Sequence, residues 1–206
     1  VPIMLGNADA TPDSIDGRHM HPLIVQGVHA NSIGYLVPPE KASIWRGPMV
    51  SRALQQLYQE TVWPKLDFLI IDMPPGTGDI QLTLSQQIPV DGAVIVTTPQ
   101  DLALADAIKG IALFERVEIP VLGLVENMSY HQCEQCGHKS YLFSKDGGVH
   151  LSEKYQVPLL GRLPLDMQIR EHADGGLPIV PQQPDCDASR TYLEVATQIQ
   201  QVFVQT

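Results

Sequence analysis

Basic residues are scarce in this chain of 206 residues, in which 13 lysines and arginines stand against 23 aspartates and glutamates. The formal net charge of −10 would repel the phosphates of nucleic acids and the surface of anionic membranes. Long apolar runs are also lacking, since none approaches the about 18 residues that a membrane-spanning helix requires. We therefore expect neither nucleic acid nor membrane among the partners.

Cysteine is equally rare, with 3 residues in the whole chain. Cys133 and Cys136 form a Cys-x-x-Cys pair, whereas Cys186 stands alone between two aspartates that disfavour a thiolate, and we assign it no function. Two nearby thiols in a chain so poor in cysteine indicate a metal site in a reducing compartment rather than a disulfide framework. A cytoplasmic location is expected.

The composition is that of a globular protein, with 44% hydrophobic and 17% charged residues. The length suits one α/β domain, so we predict a single domain over residues 1–206. Residues 1–31 show no sustained hydrophobic period and are predicted to be irregular, and residues 33–37 are predicted to form a short strand ended by two prolines.

The nearly continuous apolar run from Leu66 to Ile71 predicts a parallel strand that is buried on both faces. Asp72 would then lie at the carboxyl end of that strand, where open α/β sheets bind their ligands. A carboxylate in that position can hold Mg²⁺, directly or through water, and the ion would bring a nucleotide.

A loop rich in proline and glycine follows Asp72. Pro74 and Pro75 stiffen the turn and offer no N–H group, whereas Gly76 and Gly78 allow the main chain to approach a phosphate closely. The alternative interpretation is a strand followed by an ordinary capped turn, because an apolar run and one aspartate make a short motif.

Two further apolar segments, residues 93–97 and 121–126, predict more strands of the same sheet. Helical patterns alternate with them, and the chain is therefore predicted to form a doubly wound, mostly parallel α/β sheet. Asn127 follows the second segment at the ligand edge, where its amide could both donate to and accept from an adenine base. The alternative for Asn127 is a structural Asx turn.

The segment around the two cysteines, residues 129–143, predicts a small hairpin. Two thiolates three positions apart can grip one metal from a tight turn that Gly137 relieves. A tetrahedral site needs two more ligands. They could be His131 and His138 of the same chain or the cysteines of a second copy, and the third possibility is that no metal binds.

Several motifs together resemble the Mrp/ApbC family of P-loop ATPases, relatives of MinD that carry iron–sulfur clusters. The resemblance runs along the whole chain. The motifs are Trp45-Arg46-Gly47-Pro48, the string from Asp72 to Asp79, Thr97-Thr98-Pro99-Gln100, Glu126-Asn127-Met128-Ser129 and the Cys133/Cys136 pair.

This resemblance implies a MinD-type fold and a site for ATP with Mg²⁺. It implies that Asp72 belongs to the shell of the metal ion and that Pro75 and Gly76 lie in the loop near the γ-phosphate. It assigns Asn127 to the adenine. Pro164 and Asp166 would wall the adenine pocket, although Asp166 is otherwise a plain cap for a helix over residues 167–172.

The resemblance further implies a [4Fe–4S] cluster that bridges a homodimer, with Cys133 and Cys136 donated by each chain. The function would be ATP-dependent transfer of the cluster to apo-proteins. The alternative is a zinc-stabilised regulatory or scaffold protein that performs no turnover.

A Gly-x-x-x-x-Gly-Lys-Ser/Thr loop is absent from these residues. The family begins its nucleotide site with that loop, so we expect an amino-terminal part to be missing and this chain to hydrolyse no ATP by itself. A missing central strand would leave the apolar faces of Leu69 and Ile71 uncovered, and we expect poor stability or self-association.

Overall fold

A computed structural model describes residues 1–37, 47–73, 76 and 78–204. The contacts divide the chain into two compact units, one made of Val1–Pro89 with Ala173–Leu177 and the other of Val90–His172 with Pro178–Thr206. The single domain over residues 1–206 stays a prediction.

The described residues of the amino-terminal half form two short strands and three helices. In chain order these are β1 (Leu23–Val25), β2 (Val28–Ala30), α1 (Ile33–Leu36), α2 (Gly47–Gln59) and α3 (Asp79–Gln87).

The remaining elements alternate between strands and helices. They are β3 (Ala93–Thr97), α4 (Asp101–Arg116), β4 (Val121–Glu126), β5 (His131–Gln132), β6 (Lys139–Ser140), α5 (Gly147–Tyr155), β7 (Leu159–Arg162), α6 (Met167–Asp174), α7 (Ile179–Gln182) and α8 (Asp187–Val204).

The centre of the second unit is a parallel sheet with the strand order β3-β4-β7. Side chains alternate between its faces, as the pleat requires. On one face Ile95 and Leu124 pack against α4 and α5. On the other face Val125 and Leu160 pack against α8. The observed sheet is therefore parallel and covered by helices on both faces, as the sequence predicts.

Both faces of the sheet form apolar cores. Leu124 is 0% exposed, and burying such a side chain stabilises the fold by about 1.5–3 kcal/mol. The buried residues of the first core are Ile95, Ala107, Ile111, Leu124, Leu151 and Val157, and those of the second are Val125, Leu160 and Leu163.

Two predictions for the amino-terminal segment are wrong. Residues 1–31 contain the antiparallel pair β1–β2, joined by a tight turn in which Gln26 and Gly27 both have positive φ, at 51° and 80°. Residues 33–36 form the helix α1 instead of a strand, because the Ser32 hydroxyl accepts a hydrogen bond from the Gly34 N–H and caps the turn.

The prediction of a buried strand from Leu66 to Ile71 is also wrong. No strand is formed by these residues, and Ile70 is 84% exposed. An apolar segment becomes a strand only when a neighbouring strand takes its hydrogen bonds, and no strand of the described residues runs beside this segment in a sheet. Asp72 therefore follows an irregular segment and not the end of a strand.

Within the described ranges, no helix is both long enough and apolar enough to cross a bilayer.

Candidate functional site

The three strands of the parallel sheet end in a row of polar residues. Thr97 of β3 is in register with Glu126 of β4, which is in register with Arg162 of β7. Thr97 and Glu126 are buried, and Arg162 is half-buried. Since ligands of open α/β proteins bind at the carboxyl ends of the strands, this row marks the floor of the candidate site.

Glu126 is the centre of the row and is 0% exposed. Its carboxylate accepts hydrogen bonds from the Ser129 hydroxyl and from the Gly148 backbone N–H. Arg162 Nε donates to the same carboxylate over 3.0 Å and also lies 3.0 Å from Ser129 Oγ. A buried charge is tolerated only when it is paired and hydrogen-bonded, and this one receives donors from three segments of the chain.

The start of helix α5 is built to admit the Glu126 carboxylate. A negative charge at a helix amino terminus is stabilised by the unpaired N–H groups and the helix dipole. The sequence there is Gly147-Gly148. A Cβ atom on Gly148 would lie 2.8 Å from Glu126 Oε2, and one on Gly147 would lie 3.0 Å from the Pro99 carbonyl oxygen. Glycine at both positions therefore leaves the space that the carboxylate and the neighbouring backbone occupy.

Asp146 extends the network to the surface. Its Oδ1 lies 2.9 Å from Arg162 Nη2. Asp146 has a left-handed backbone with φ of 61° and occupies the position before α5, yet its side chain makes no capping hydrogen bond to the helix. The carboxylate thus neutralises the half-buried guanidinium instead of capping the helix.

Glu126 is part of a motif that carries the family resemblance, but the sequence alone assigns no role to Glu126, Arg162 or Asp146. A usable signal was present, because Glu126 ends a strand of 6 residues that is otherwise apolar. A charged residue in such a strand requires a partner of opposite charge, but the position of Arg162 in a different strand cannot be read from spacing along the chain.

Asn127 lies directly beyond the end of β4. Its backbone N–H donates to the Thr97 carbonyl over 2.7 Å, and its Oδ1 accepts the N–H of Met128 over 2.9 Å. The second bond is a local bond of the side chain to its own turn, and Met128 adopts a positive φ of 54°. The bond reaches the next residue, whereas an Asx turn would reach the second one along, and it engages the oxygen of the amide.

The cysteine hairpin consists of β5 and β6 and is anchored directly beside Asn127. The Ser129 N–H donates to the Leu163 carbonyl over 2.8 Å, and the Leu165 N–H donates to the Tyr130 carbonyl over 2.7 Å. These bonds continue the pairing of β4 with β7 into the two segments that follow them. The hairpin thus emerges from the ligand edge of the sheet, as the sequence predicts.

Cys133 and Cys136 lie in the turn of the hairpin and form no disulfide; Cys133 is half-buried and Cys136 is exposed. Two backbone hydrogen bonds close the turn. The Cys133 N–H donates to the His138 carbonyl over 2.9 Å, and the Gly137 N–H donates to the Cys133 carbonyl over 2.8 Å. Gly137 has a φ of 70°, a conformation that suits glycine.

The Cys133 thiol is disposed to become a thiolate. Hydrogen bonds from the backbone N–H of Cys136 and then of Gln135, together with the Cys136 side chain, lower the pKa of Cys133 below its ordinary value, although the Glu134 carboxylate opposes this. A thiolate is the form that binds metals. The turn therefore has the chemistry of a metal-binding knuckle.

The two histidines of this segment do not complete a site with the cysteines in this conformation. His131 Nδ1 lies 3.3 Å from the Leu165 carbonyl, to which it can only donate. In the part of the chain that is described, no group of three or more histidine, cysteine, aspartate or glutamate side chains has a metal-binding arrangement.

Pro164 and Asp166 lie on the segment that pairs with the root of the hairpin, so they are neighbours of Asn127. Both are half-buried. Asp166 Oδ1 accepts the N–H of Gln168 over 2.7 Å, which is the helix cap expected at the start of α6. The structure thus brings together Asn127, the hairpin and the Pro164–Asp166 turn at one edge.

Asp72 and Gly76 belong to the first unit. Asp72 is exposed. Gly76 has a φ of 104°, and the nearest atom to a Cβ built on it is Gln81 Nε2 at 3.6 Å. Asp72 thus offers an exposed carboxylate and Gly76 an open backbone with positive φ, groups that suit a hydrated cation and a phosphate. Pro75 lies outside the described residues, as does Trp45-Arg46.

Comparison with known proteins gives a consistent result. A family model described as "ParA: NUBPL iron-transfer P-loop NTPase" matches residues 1–200. The "Iron-sulfur cluster carrier protein" of Salmonella typhimurium is 55% identical over 199 residues, which are 97% of this chain and 54% of that protein. The chain thus spans about half the length of this relative.

Two solved structures share the fold. A nucleotide-binding protein from Archaeoglobus fulgidus, solved in complex with ADP, has a TM-score of 0.72 and 32% identity over 85% of this chain and 68% of its own. The cell division ATPase MinD of Pyrococcus furiosus has a TM-score of 0.55 and 22% identity over 76% and 59% of the two chains.

The parallel sheet flanked by helices is thus a MinD/ParA-like P-loop fold. The chain belongs to the NUBPL iron-transfer family of ParA-type P-loop NTPases.

Proposed function

We propose that this chain acts as an ATP-dependent carrier of iron–sulfur clusters. Two thiols presented on a hairpin at the ligand edge of the sheet carry the proposal, because the family is named for iron transfer. The cluster is the cargo of such a protein. It would be received, held and passed to apo-proteins that lack it.

The cluster would be a [4Fe–4S] cubane bridged between two copies of the chain. A cubane of this kind is held by four thiolates, and each hairpin offers Cys133 and Cys136. The exposed position of Cys136 supports sharing, since a second chain or a recipient protein can reach it without unfolding the hairpin. Release would then be a ligand exchange in which thiolates of the recipient replace those of the carrier.

The nucleotide would lie at the carboxyl edge of the sheet. Asp72 would hold Mg²⁺, Pro75 and Gly76 would lie near the γ-phosphate, and Asn127, Pro164 and Asp166 would contact the adenine. The ion would neutralise charge on the phosphates. Asn127 fits this role because its Oδ1 is held by its own turn, which orients the amide nitrogen as a fixed donor.

The location that fits this function is the cytoplasm, where thiols stay reduced. Apo-proteins that accept the cluster are the expected partners.

Anaerobic reconstitution with iron and sulfide tests the proposal. Cys133→Ser and Cys136→Ser should each abolish the visible absorbance of the cluster and the bound iron, whereas Cys186→Ser should leave both unchanged. The matched control is informative because Cys186 lies elsewhere, within hydrogen-bond distance of Ser189. Stoichiometric iron and sulfide in either hairpin variant would contradict the ligand assignment, and a colourless protein that binds zinc would favour the zinc-stabilised scaffold.

A further inference from the structure

The buried network around Glu126 has no role in the proposed binding of nucleotide or cluster. It joins four elements: the end of β4, the root of the hairpin at Ser129, the start of α5 at Gly148 and the end of β7 at Arg162. Glu126 and Ser129 are 0% and 1% exposed, so neither side chain can contact a ligand directly. Their effect must pass through the residues that they hold.

A buried charged network is an inefficient way to gain stability alone. Burying a charged pair costs desolvation free energy that the mutual attraction often only offsets, and apolar residues of similar size frequently serve as well. A network in which every polar group is hydrogen-bonded does fix the direction of each donor. Here the donors come from three different segments of the chain, namely the hairpin root, the start of α5 and the end of β7.

The Glu126 carboxylate links the two ends of the segment from Glu126 to Ser129. Glu126 is held by its place in the sheet, and its side chain reaches three residues ahead to the Ser129 hydroxyl. Ser129 is also the residue whose N–H starts the pairing of the hairpin root with Leu163. The carboxylate thus sets where the first strand of the hairpin leaves the sheet.

We propose that Glu126 is the positioning residue of the cysteine hairpin, acting through Ser129 and held in place by Arg162 and the start of α5. It fixes the hairpin in the orientation in which Cys133 and Cys136 are presented for a shared cluster. The part of this inference that concerns the cluster rests on the proposed function. The part that concerns the hairpin does not.

Hydrogen exchange of the cluster-free chain, followed by mass spectrometry, tests the hairpin directly. Glu126→Gln keeps the size of the side chain but removes its charge, and Ser129→Ala removes one hydroxyl. Both should raise the exchange rate of amides in residues 129–143 by about tenfold, the factor that loss of one charge-assisted hydrogen bond permits. Amides of α4 should keep their wild-type rates.

Asp106→Asn is the matched control. It removes one carboxylate as Glu126→Gln does, but from an exposed pair in which Asp106 Oδ1 lies 2.8 Å from Lys109 Nζ. Its exchange pattern should equal that of the wild-type chain. If Glu126→Gln fails to fold, Ser129→Ala decides the question, because the Glu126–Arg162 pair stays intact in that variant.

A second readout follows the reconstituted cluster. In Glu126→Gln and Ser129→Ala the cluster should pass to an iron chelator about ten times faster than in the wild type, as is typical when a residue that orients metal ligands is lost, and its visible circular dichroism should change. The positioning role would be overturned if residues 129–143 kept their wild-type exchange rates in both variants. It would also be overturned if the exchange rates of α4 and of the hairpin rose equally. Wild-type chain that takes up no cluster would instead refute the proposed function, while the exchange data would still decide the role of Glu126.

Discussion

Replacing Gly148 by alanine would place one methyl group against the buried Glu126 carboxylate. The new Cβ would lie 2.8 Å from Glu126 Oε2 and 3.0 Å from Glu126 Cβ, whereas ordinary van der Waals contact begins at 3.4 Å. The carboxylate cannot simply swing aside, because Ser129 and Arg162 hold its other oxygen. Either the start of α5 moves away or the network breaks.

The expected cost follows from these two possibilities. Inserting a methyl group into a packed interior costs about 1–3 kcal/mol, and losing the hydrogen bond from the Gly148 N–H to the carboxylate costs about 1.5–3 kcal/mol. Replacing glycine in a helix returns about 0.5–1 kcal/mol. Taken together, these terms give a net loss of about 1.5–5.5 kcal/mol, which for a chain of this size lowers Tm by roughly 3–22 °C.

Thermal unfolding followed by far-UV circular dichroism measures this loss. Gly78→Ala is the matched control, because Gly78 lies directly before α3 and, among the described residues, the nearest atom to a Cβ built on it is Gln81 Oε1 at 3.9 Å. The control should stay within about 1 kcal/mol of the wild type. Equal melting of Gly148→Ala and the wild-type chain, or an equal loss in the control, would refute the argument from close approach.

Two further predictions concern the thiols and the nucleotide. Because the pKa of Cys133 is lowered, iodoacetamide should alkylate it rapidly at a lower pH than it alkylates the same residue in an unfolded peptide. The stability that the thiolate contributes should disappear as pH falls through the pKa of Cys133 in the folded chain. Peptide mass spectrometry across a pH series measures the alkylation, and coincident profiles for the folded chain and the peptide would contradict the prediction. The chain should release phosphate from ATP and Mg²⁺ no faster than an Asp72→Ala control, because it lacks the amide cradle and lysine of a P-loop. ATP hydrolysis that is lost in Asp72→Ala would show that another phosphate-binding element exists.

The strands and helices around the parallel sheet could be predicted because their patterns are local. The apolar runs predicted as strands over residues 93–97 and 121–126 match β3 and β4. The hairpin at residues 129–143 was equally accessible, since a Cys-x-x-Cys pair with a following glycine favours a tight turn. Its root next to Asn127 follows from the order of the strands.

Other features depend on contacts that the sequence does not display. The apolar run from Leu66 to Ile71 has the composition of a buried strand, but strand formation requires a partner for its hydrogen bonds. Residues 33–36 are apolar enough for a strand, and the Ser32 cap turned them into a helix. The Glu126–Arg162 pair joins residues 36 positions apart in two different strands, so only the register of β4 with β7 reveals it.

We propose that two copies of this chain share one cluster. The iron and sulfide content per chain tests this most directly when it is measured together with the mass of the reconstituted particle in solution. We expect about two irons and two sulfides per chain in a particle of two chains, because a [4Fe–4S] cubane has four cysteine ligands and each chain supplies Cys133 and Cys136. Four irons on a monomeric chain would contradict the shared cluster.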